Sequence, residues 1–443
     1  MSSRSVISIF AATVLLTGCG DLNSSIWSKH LSAKRKEEAK EHWDVVRGGV
    51  KLQLARQNLE AGRLADAEKI LVQAVALSPK DPQAFLLLAK LRLEQGQLAD
   101  ARQAINKATS LAPASPEIAY LSGVIAQRYG DLEMAAEFYT AAAGRSPNVV
   151  DYVLAQAETL VALDRPIDAL ALVESRISDF DTSAAMQMLA ARICRTVGLR
   201  QPAVDHCREA LQLSPDDQLT AADCGQIFVW ARKYSDAIST LKPLLPAEGS
   251  AGKTPPSKRP GILVGAGSIR RGLASAYLGL NRSAEAMNCL KPALADPEVD
   301  SASLVLCARA ALNVEDRQVA DRALALLRAR AEVTPETRLL EGYLAFLQQD
   351  YPRAFEAANQ AAKLDSRLVP ALCLKGRSAQ AMGKLDEARI AYASALALDP
   401  SAPISASRVA ELVPGPHCIA ENGSQCITPA ANNRPDQPGR FAP

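Results

Sequence analysis

Apolar and small residues recur along this chain with a period of 34. Residues 48–149 fall into three lines of that length. Ala55, Ala67, Leu71, Ala74 and Leu77 in the first line become Ala89, Ala101, Ile105, Ala108 and Leu111 in the second, and Gly123, Ala135, Tyr139 and Ala142 in the third. The spacing within each half-line follows the 3.6-residue period of an amphipathic helix. Gly62, Gly96 and Gly130 divide each line in two, and Pro79, Pro113 and Pro147 end it. Each line is therefore predicted to form two helices, A and B. Glycine leaves helix A in a left-handed turn, and proline, lacking an N–H, stops helix B.

The register continues past residue 149. Further lines open at Val150, Ala184 and Gln218, the first of these carrying Asp164 where the first three lines have Gly. A Pro/Gly segment interrupts the pattern, which then restarts at Gly267 and gives four more lines, to residue 402. In all ten lines the twentieth residue is Ala: 67, 101, 135, 169, 203, 237, 286, 320, 354 and 388. The eighth is Ala or Gly throughout. Two small side chains facing each other let helix axes approach closely. The residue at the twenty-fourth place is expected to fill the groove toward the next line.

A period of 34 with small residues at places eight and twenty and Pro near place thirty-two resembles the tetratricopeptide repeat, a helix–turn–helix unit. The resemblance implies an all-α fold, an α-solenoid (right-handed superhelix) of about ten such units. Units 1–6 are predicted over 48–251 and units 7–10 over 267–402, with a Pro/Gly-rich linker at 252–266 that is either a hinge or an insertion on a continuous array. A capping helix is expected at 403–413 and a disordered tail at 414–443, where Pro, Asn and Gly accumulate.

The ends of the chain add a location. Arg4 precedes an apolar run from Val6 to Leu16, the pattern of an export signal and too short for an ordinary membrane span. Leu16-Thr17-Gly18-Cys19 resembles a bacterial lipobox. That resemblance implies removal of residues 1–18, acylation of Cys19 and a lipid-anchored chain facing the periplasm. Gly20 stands where Asp would favour inner-membrane retention, so the outer membrane is the expected destination. Residues 19–47 read as a lipidated tether with a charged helix over Lys29–Trp43.

Charge and chemistry narrow the function. The formal net charge is +2, which leaves no whole-chain electrostatic footprint for nucleic acid. Gly252-Lys253-Thr254 matches the end of a phosphate loop, but residue 247 is Ala where the pattern needs Gly, and Pro255-Pro256 opposes the required helix. Gly265–Arg270 resembles a dinucleotide fingerprint lacking its last Gly and its strand context. The four histidines, His30, His42, His206 and His417, share no metal-ligand spacing, and no catalytic motif is present. No cofactor, metal or enzymatic activity is expected. Export permits disulfides. Cys207 and Cys224 lie at similar distances on either side of Pro215, and Cys289 and Cys307 on either side of Pro297, so each pair is predicted to face across a helix–helix turn. Cys418 and Cys426 could close a short loop. Cys194 competes for Cys207, and buried unpaired thiols are the alternative for all of them.

In the family the resemblance points to, ligands lie along places two, five, nine, twelve and thirteen of helix A, on a concave wall. The ninth places include Arg56, Lys90, Arg192, Arg309, Tyr343 and Arg377; the others add Tyr120, Arg128, Arg195, Trp230, Arg271 and Phe346. The expectation is a partly basic groove for an extended peptide or helix of a cell-envelope protein. The expected role is a membrane-anchored scaffold in assembly of a pilus, secretin or other secretion machine. The alternatives are an accessory of exopolysaccharide synthesis and export and, third, an enzyme or small-molecule carrier.

Overall fold

A computed structural model describes residues 21–245 and 265–401, apart from Pro297 and Glu332. The described residues form twenty α-helices and no strand. They pair as A and B helices in ten repeats. The A helices α3 (Pro82–Glu94), α5 (Pro116–Tyr129), α7 (Val150–Ala162), α9 (Ala184–Val197) and α11 (Gln218–Trp230) begin where the 34-residue register opens each line. So do α15 (Ser301–Asn313), α17 (Pro335–Leu347) and α19 (Val369–Ala381). Their starts have a local cause. Asp81, Ser115 and Thr334 cap an N-terminus with a side-chain oxygen, and proline follows at a position whose N–H has no helical partner.

The turn out of helix A is the most regular feature. All ten fifteenth places have positive φ. Five are glycine: Gly62, Gly96, Gly130, Gly198 and Gly383. The other five are Asp164, Arg232, Asn281, Glu315 and Gln349, at φ of 58, 61, 58, 60 and 64°. The left-handed exit is thus imposed by packing of the helix pair even where the residue carries a Cβ.

Every one of the ten twentieth-place alanines is fully buried. The eighth place meets more than its expected partner. A Cβ on Gly123 would sit 2.6 Å from the Tyr139 ring, and one on Gly376 would sit 2.7 Å from the Tyr392 ring. Gly225 stands in the same way against Leu241. The twenty-fourth residue therefore packs back onto place eight of its own repeat. Both repeats with Tyr at place twenty-four have Gly at place eight. Repeats with Leu there take Ala three times, as Ala55 with Leu71, Ala274 with Leu290 and Ala308 with Leu324.

The chain divides into two compact bodies between Leu172 and Val173, inside α8 (Pro166–Arg176), and not at the Pro/Gly segment. Within the second body, α12 (Tyr234–Leu241) packs directly on α13 (Ala266–Gly279). Gln226 of α11 donates to the Ser268 carbonyl at 3.0 Å. Repeats six and seven are consecutive members of one stack, which removes the hinge reading; the chain between them is an insertion. Its own residues 246–264 lie outside the described residues, as do Cys19, the expected cap at 403–413 and the tail with Cys418 and Cys426. The tether also differs from expectation. From Asp21 it belongs to α1 (Asp21–Glu60), which runs unbroken into the first repeat and pairs with α2 (Leu64–Leu77).

The six described cysteines are free thiols in the structure, and the two pairs predicted to face across a turn are placed differently. The Cys224 thiol does meet Cys207, lying 3.5 Å from its carbonyl oxygen. Cys289 instead turns its thiol to the Arg270 carbonyl at 3.7 Å. The spacing argument assumed that α14 (Ser283–Leu290) continues to the turn. Pro292 ends it, and the chain runs on to the turn as a 3-10 segment, Lys291–Ala295. Pro243 shortens α12 in the same way.

Two stability measurements follow from these contacts. Gly123→Ala is expected to cost about 1–3 kcal/mol by overpacking against Tyr139. Combined with Tyr139→Leu, which recreates the Ala–Leu pair of other repeats, it should show a favourable coupling on the order of 1 kcal/mol in a denaturant double-mutant cycle. Strict additivity would contradict the contact. Gln349→Gly should raise stability by about 1 kcal/mol, since a left-handed residue with a Cβ costs roughly 1–2 kcal/mol and glycine's extra unfolded freedom offsets part of that. A lowered unfolding midpoint would count against an imposed turn.

Candidate functional site: the A-helix face

The helix pairing leaves one side of each A helix uncovered by its own B helix. Places five and nine lie on that side, four residues apart and therefore one above the other. In the second body three successive A helices, α15, α17 and α19, frame a pocket of about 770 Å³. Its floor is apolar: Val305 and Leu306 from α15, Leu339 and Leu340 from α17, and Leu368 at the start of α19. Leu339 and Leu340 are buried in the core beneath, while Val305 and Leu306 remain half-buried. The rim is polar, with Ser301, Thr334, Glu336 and Asp365.

Local capping shapes this rim. Thr334 accepts the Thr337 N–H at 3.1 Å, and the Thr337 hydroxyl accepts the Thr334 N–H at 2.9 Å. That reciprocal pair fixes the first turn of α17, where Pro335 and Glu336 face the opening. Pro370 in the first turn of α19 adds a second rigid wall.

The basic places on this face are mostly spoken for. Arg309 is on the pocket wall, but its guanidinium pairs with Glu336 at the head of the next A helix. Arg271 reaches Asp300, the N-cap of α15, at 2.8 Å. Burial pushes the Asp300 carboxyl up, but hydrogen bonds from Ser303 and the Arg271 guanidinium outweigh it and hold the group below its ordinary range. The Arg377 guanidinium lies 4.8 Å over the Phe346 ring, whose edge meets Tyr351. Arg200 approaches the Trp230 ring at 5.9 Å. Burial pushes the Tyr343 hydroxyl up to about 12. Arg192 and Arg195 are exposed on α9. In repeats seven to ten the basic places have partners within the chain: Arg271 and Arg309 reach carboxylates at the head of the next repeat, and Arg377 lies over an aromatic face. Beside Arg309 the pocket floor stays apolar.

In the first body Arg56, Lys90 and Arg128 are exposed, and none of them has an ion pair among the described residues. Tyr120 is not on an open wall. Its ring is wedged between Tyr139 and Tyr152, at 5.5 and 5.1 Å, and burial raises its hydroxyl, with the carboxylates of Asp151 and Glu158 adding to the shift. Tyr139 donates to Gln127 at 2.9 Å. Tyr120 is half-buried in this cluster of rings.

The apolar pocket floor was open to sequence reasoning at place five. Val305 and Leu339 occupy that place in repeats eight and nine, where a solvent-facing helix would carry polar residues. Attention to charge at place nine passed over them. Among the described residues no group of His, Cys, Asp and Glu could hold a metal ion, and no helix is long and apolar enough to cross a membrane.

Residues 58–125 and, separately, residues 369–401 match tetratricopeptide repeat family profiles. No curated protein matches the chain. Among solved structures, PilF of Pseudomonas aeruginosa is 14% identical, covering 45% of this chain and 91% of its own, with a TM-score of 0.41. The Cut9–Hcn1 hetero-tetramer of the APC/C is 12% identical over 82% of this chain and 96% of that one, with a TM-score of 0.42. A tetratricopeptide repeat protein of Parabacteroides merdae is 15% identical over 59% and 98%, with a TM-score of 0.41. Two stretches that match the family's profiles and ten helix pairs with the same 34-residue step make the described residues an array of tetratricopeptide-type repeats.

Proposed function

We propose that this chain is a lipid-anchored scaffold of the bacterial cell envelope. Its A-helix face would hold an extended segment of a partner protein during assembly of a machine such as a pilus, a secretin or another secretion apparatus. The observation that carries the reading is the apolar-floored pocket shared by α15, α17 and α19. A site open on one side, built across several repeats and floored by Leu and Val, suits a bulky apolar side chain on an extended segment. The polar rim supplies partners for that segment's backbone. An exopolysaccharide is less well served, because the Phe346 face that could stack on a sugar is covered by Arg377.

The anchor reading rests on the sequence around Cys19. Helix α1 starts at Asp21, two residues beyond it. Between there and the first repeat, a helix rising 1.5 Å per residue would set the array roughly 40 Å from the acylated residue. A stiff spacer of that length holds a partner segment at a set height above the lipid.

Two measurements test these two parts separately. Val305→Asp places a carboxylate on the apolar floor and should weaken capture of a crosslinked envelope partner at least tenfold, which is about 1.4 kcal/mol. Arg309→Glu, which sets a second carboxylate against Glu336, should do the same. Undiminished capture by both variants removes the pocket from the account. Cys19→Ala should move the chain from the membrane fraction to the soluble fraction; continued membrane retention contradicts the anchor.

A further inference from the structure

The second body contains a buried group of sulfur atoms that the scaffold reading does not use. Cys207 lies on α10 (Arg200–Leu213), the B helix of repeat five, and Cys224 on α11, the A helix of repeat six. Both are fully buried. The Cys224 thiol lies 3.5 Å from the Cys207 carbonyl oxygen and 3.2 Å from the Met188 sulfur on α9. Two cysteines on consecutive antiparallel helices thus meet at a joint between repeats. Cys194, on α9, is also buried, and no hydrogen bond ties it to Cys207 among the described residues. Cys289 and Cys307, spaced like the first pair in sequence, do not share this contact, since Cys289 is turned to Arg270.

We propose that Cys207 and Cys224 are a disulfide-forming pair that covalently staples repeat five to repeat six. The bond closes a short loop that contains only the Pro215 turn and the ends of two helices. The Cys224 thiol already lies against the Cys207 backbone, the nearness that a disulfide requires. The oxidant is the disulfide of a thiol–disulfide oxidoreductase. A thiolate of one cysteine attacks that disulfide and forms a mixed disulfide. The second cysteine then displaces the donor's sulfur. One sulfur–sulfur bond forms in this chain, one breaks in the donor, and the two protons and two electrons leave with the donor as a dithiol. The neighbouring Cys207 and, after it, burial oppose ionisation of the Cys224 thiol in the folded chain. Exchange is accordingly assigned to the stage before α10 and α11 close on each other. Once formed, the bond is shielded from reductants by the same burial. The joint it ties lies between Arg192 and Arg195 on α9 and Trp230 on α11, so the staple would hold that part of the A-helix face to one geometry.

The test uses the full chain, denatured, reduced and refolded in a mixture of oxidised and reduced glutathione. The product is quenched in acid, denatured, alkylated without reductant and cut with trypsin. Cleavage after Arg200, Arg208 and Arg232 separates the two cysteines into peptides 201–208 and 209–232. The expected result is a linked pair of these peptides, 2 mass units below their sum, that disappears on reduction, with neither cysteine alkylated. In Cys207→Ala the linked ion should vanish and Cys224 should become alkylated. Full alkylation of both cysteines in the refolded wild-type chain overturns the proposal. Linkage of Cys207 to the peptide that holds Cys194 overturns it equally.

Discussion

Close approach of helix A to helix B within each repeat is the constraint on which the rest depends. Alanine at place twenty, buried in all ten repeats, sets the distance between the two axes. That distance forces the short turn at place fifteen into the left-handed region, whether or not the residue there is glycine. It also fixes how large the side chain at place twenty-four can be for a given residue at place eight. Tyr139 and Tyr392 fit only over glycine. Dense packing of this kind tolerates compensating exchanges far better than single ones. The repeats can therefore differ in their fillers while each keeps the buried alanine and the left-handed turn.

A constraint repeated ten times is readable at long range, which is why the helix starts follow the 34-residue arithmetic so closely. Pro82, Pro116 and Pro335 open helices where the register places them. The same 34-residue step resumes after the insertion from a new origin, and Gln226 bonded to Ser268 shows that the two segments are physically continuous. What stayed hidden was set by local departures from the repeat. Pro292 and Pro243 shorten two B helices, and equal spacing about Pro297 did not bring Cys289 to Cys307. Arg232, Glu315 and Gln349 carry no mark of a left-handed turn, because the residue type does not favour it and only the helix pair imposes it. The start of α1 was hidden for the opposite reason, since a solvated charged helix and the first repeat join without any stop signal.

The candidate site shows the same division. The face on which to look followed from the register. Its character did not, because the fate of an arginine depends on what the next repeat offers it. Arg271 finds Asp300 and Arg309 finds Glu336, each reaching one repeat onward, and Arg377 lies over Phe346. Partly exposed pairs of this kind contribute little to stability, on the order of 1 kcal/mol or less. Their larger effect is on the surface. They neutralise a stripe that composition alone would describe as basic, and they frame an apolar floor between α15 and α17. The working surface is thus a consequence of stacking, assembled from residues of three repeats, none of which holds it alone.

That the A-helix face of repeats eight to ten is where a partner lies is tested most directly by site-specific photo-crosslinking in cells. A photoreactive residue at Leu306, on the pocket wall, is compared with one at Gln318, exposed on the B helix α16 (Arg317–Ala329) of the same repeat. The account predicts a discrete crosslinked protein from Leu306 and none from Gln318. A partner crosslinked from Gln318 and not from Leu306 would contradict it.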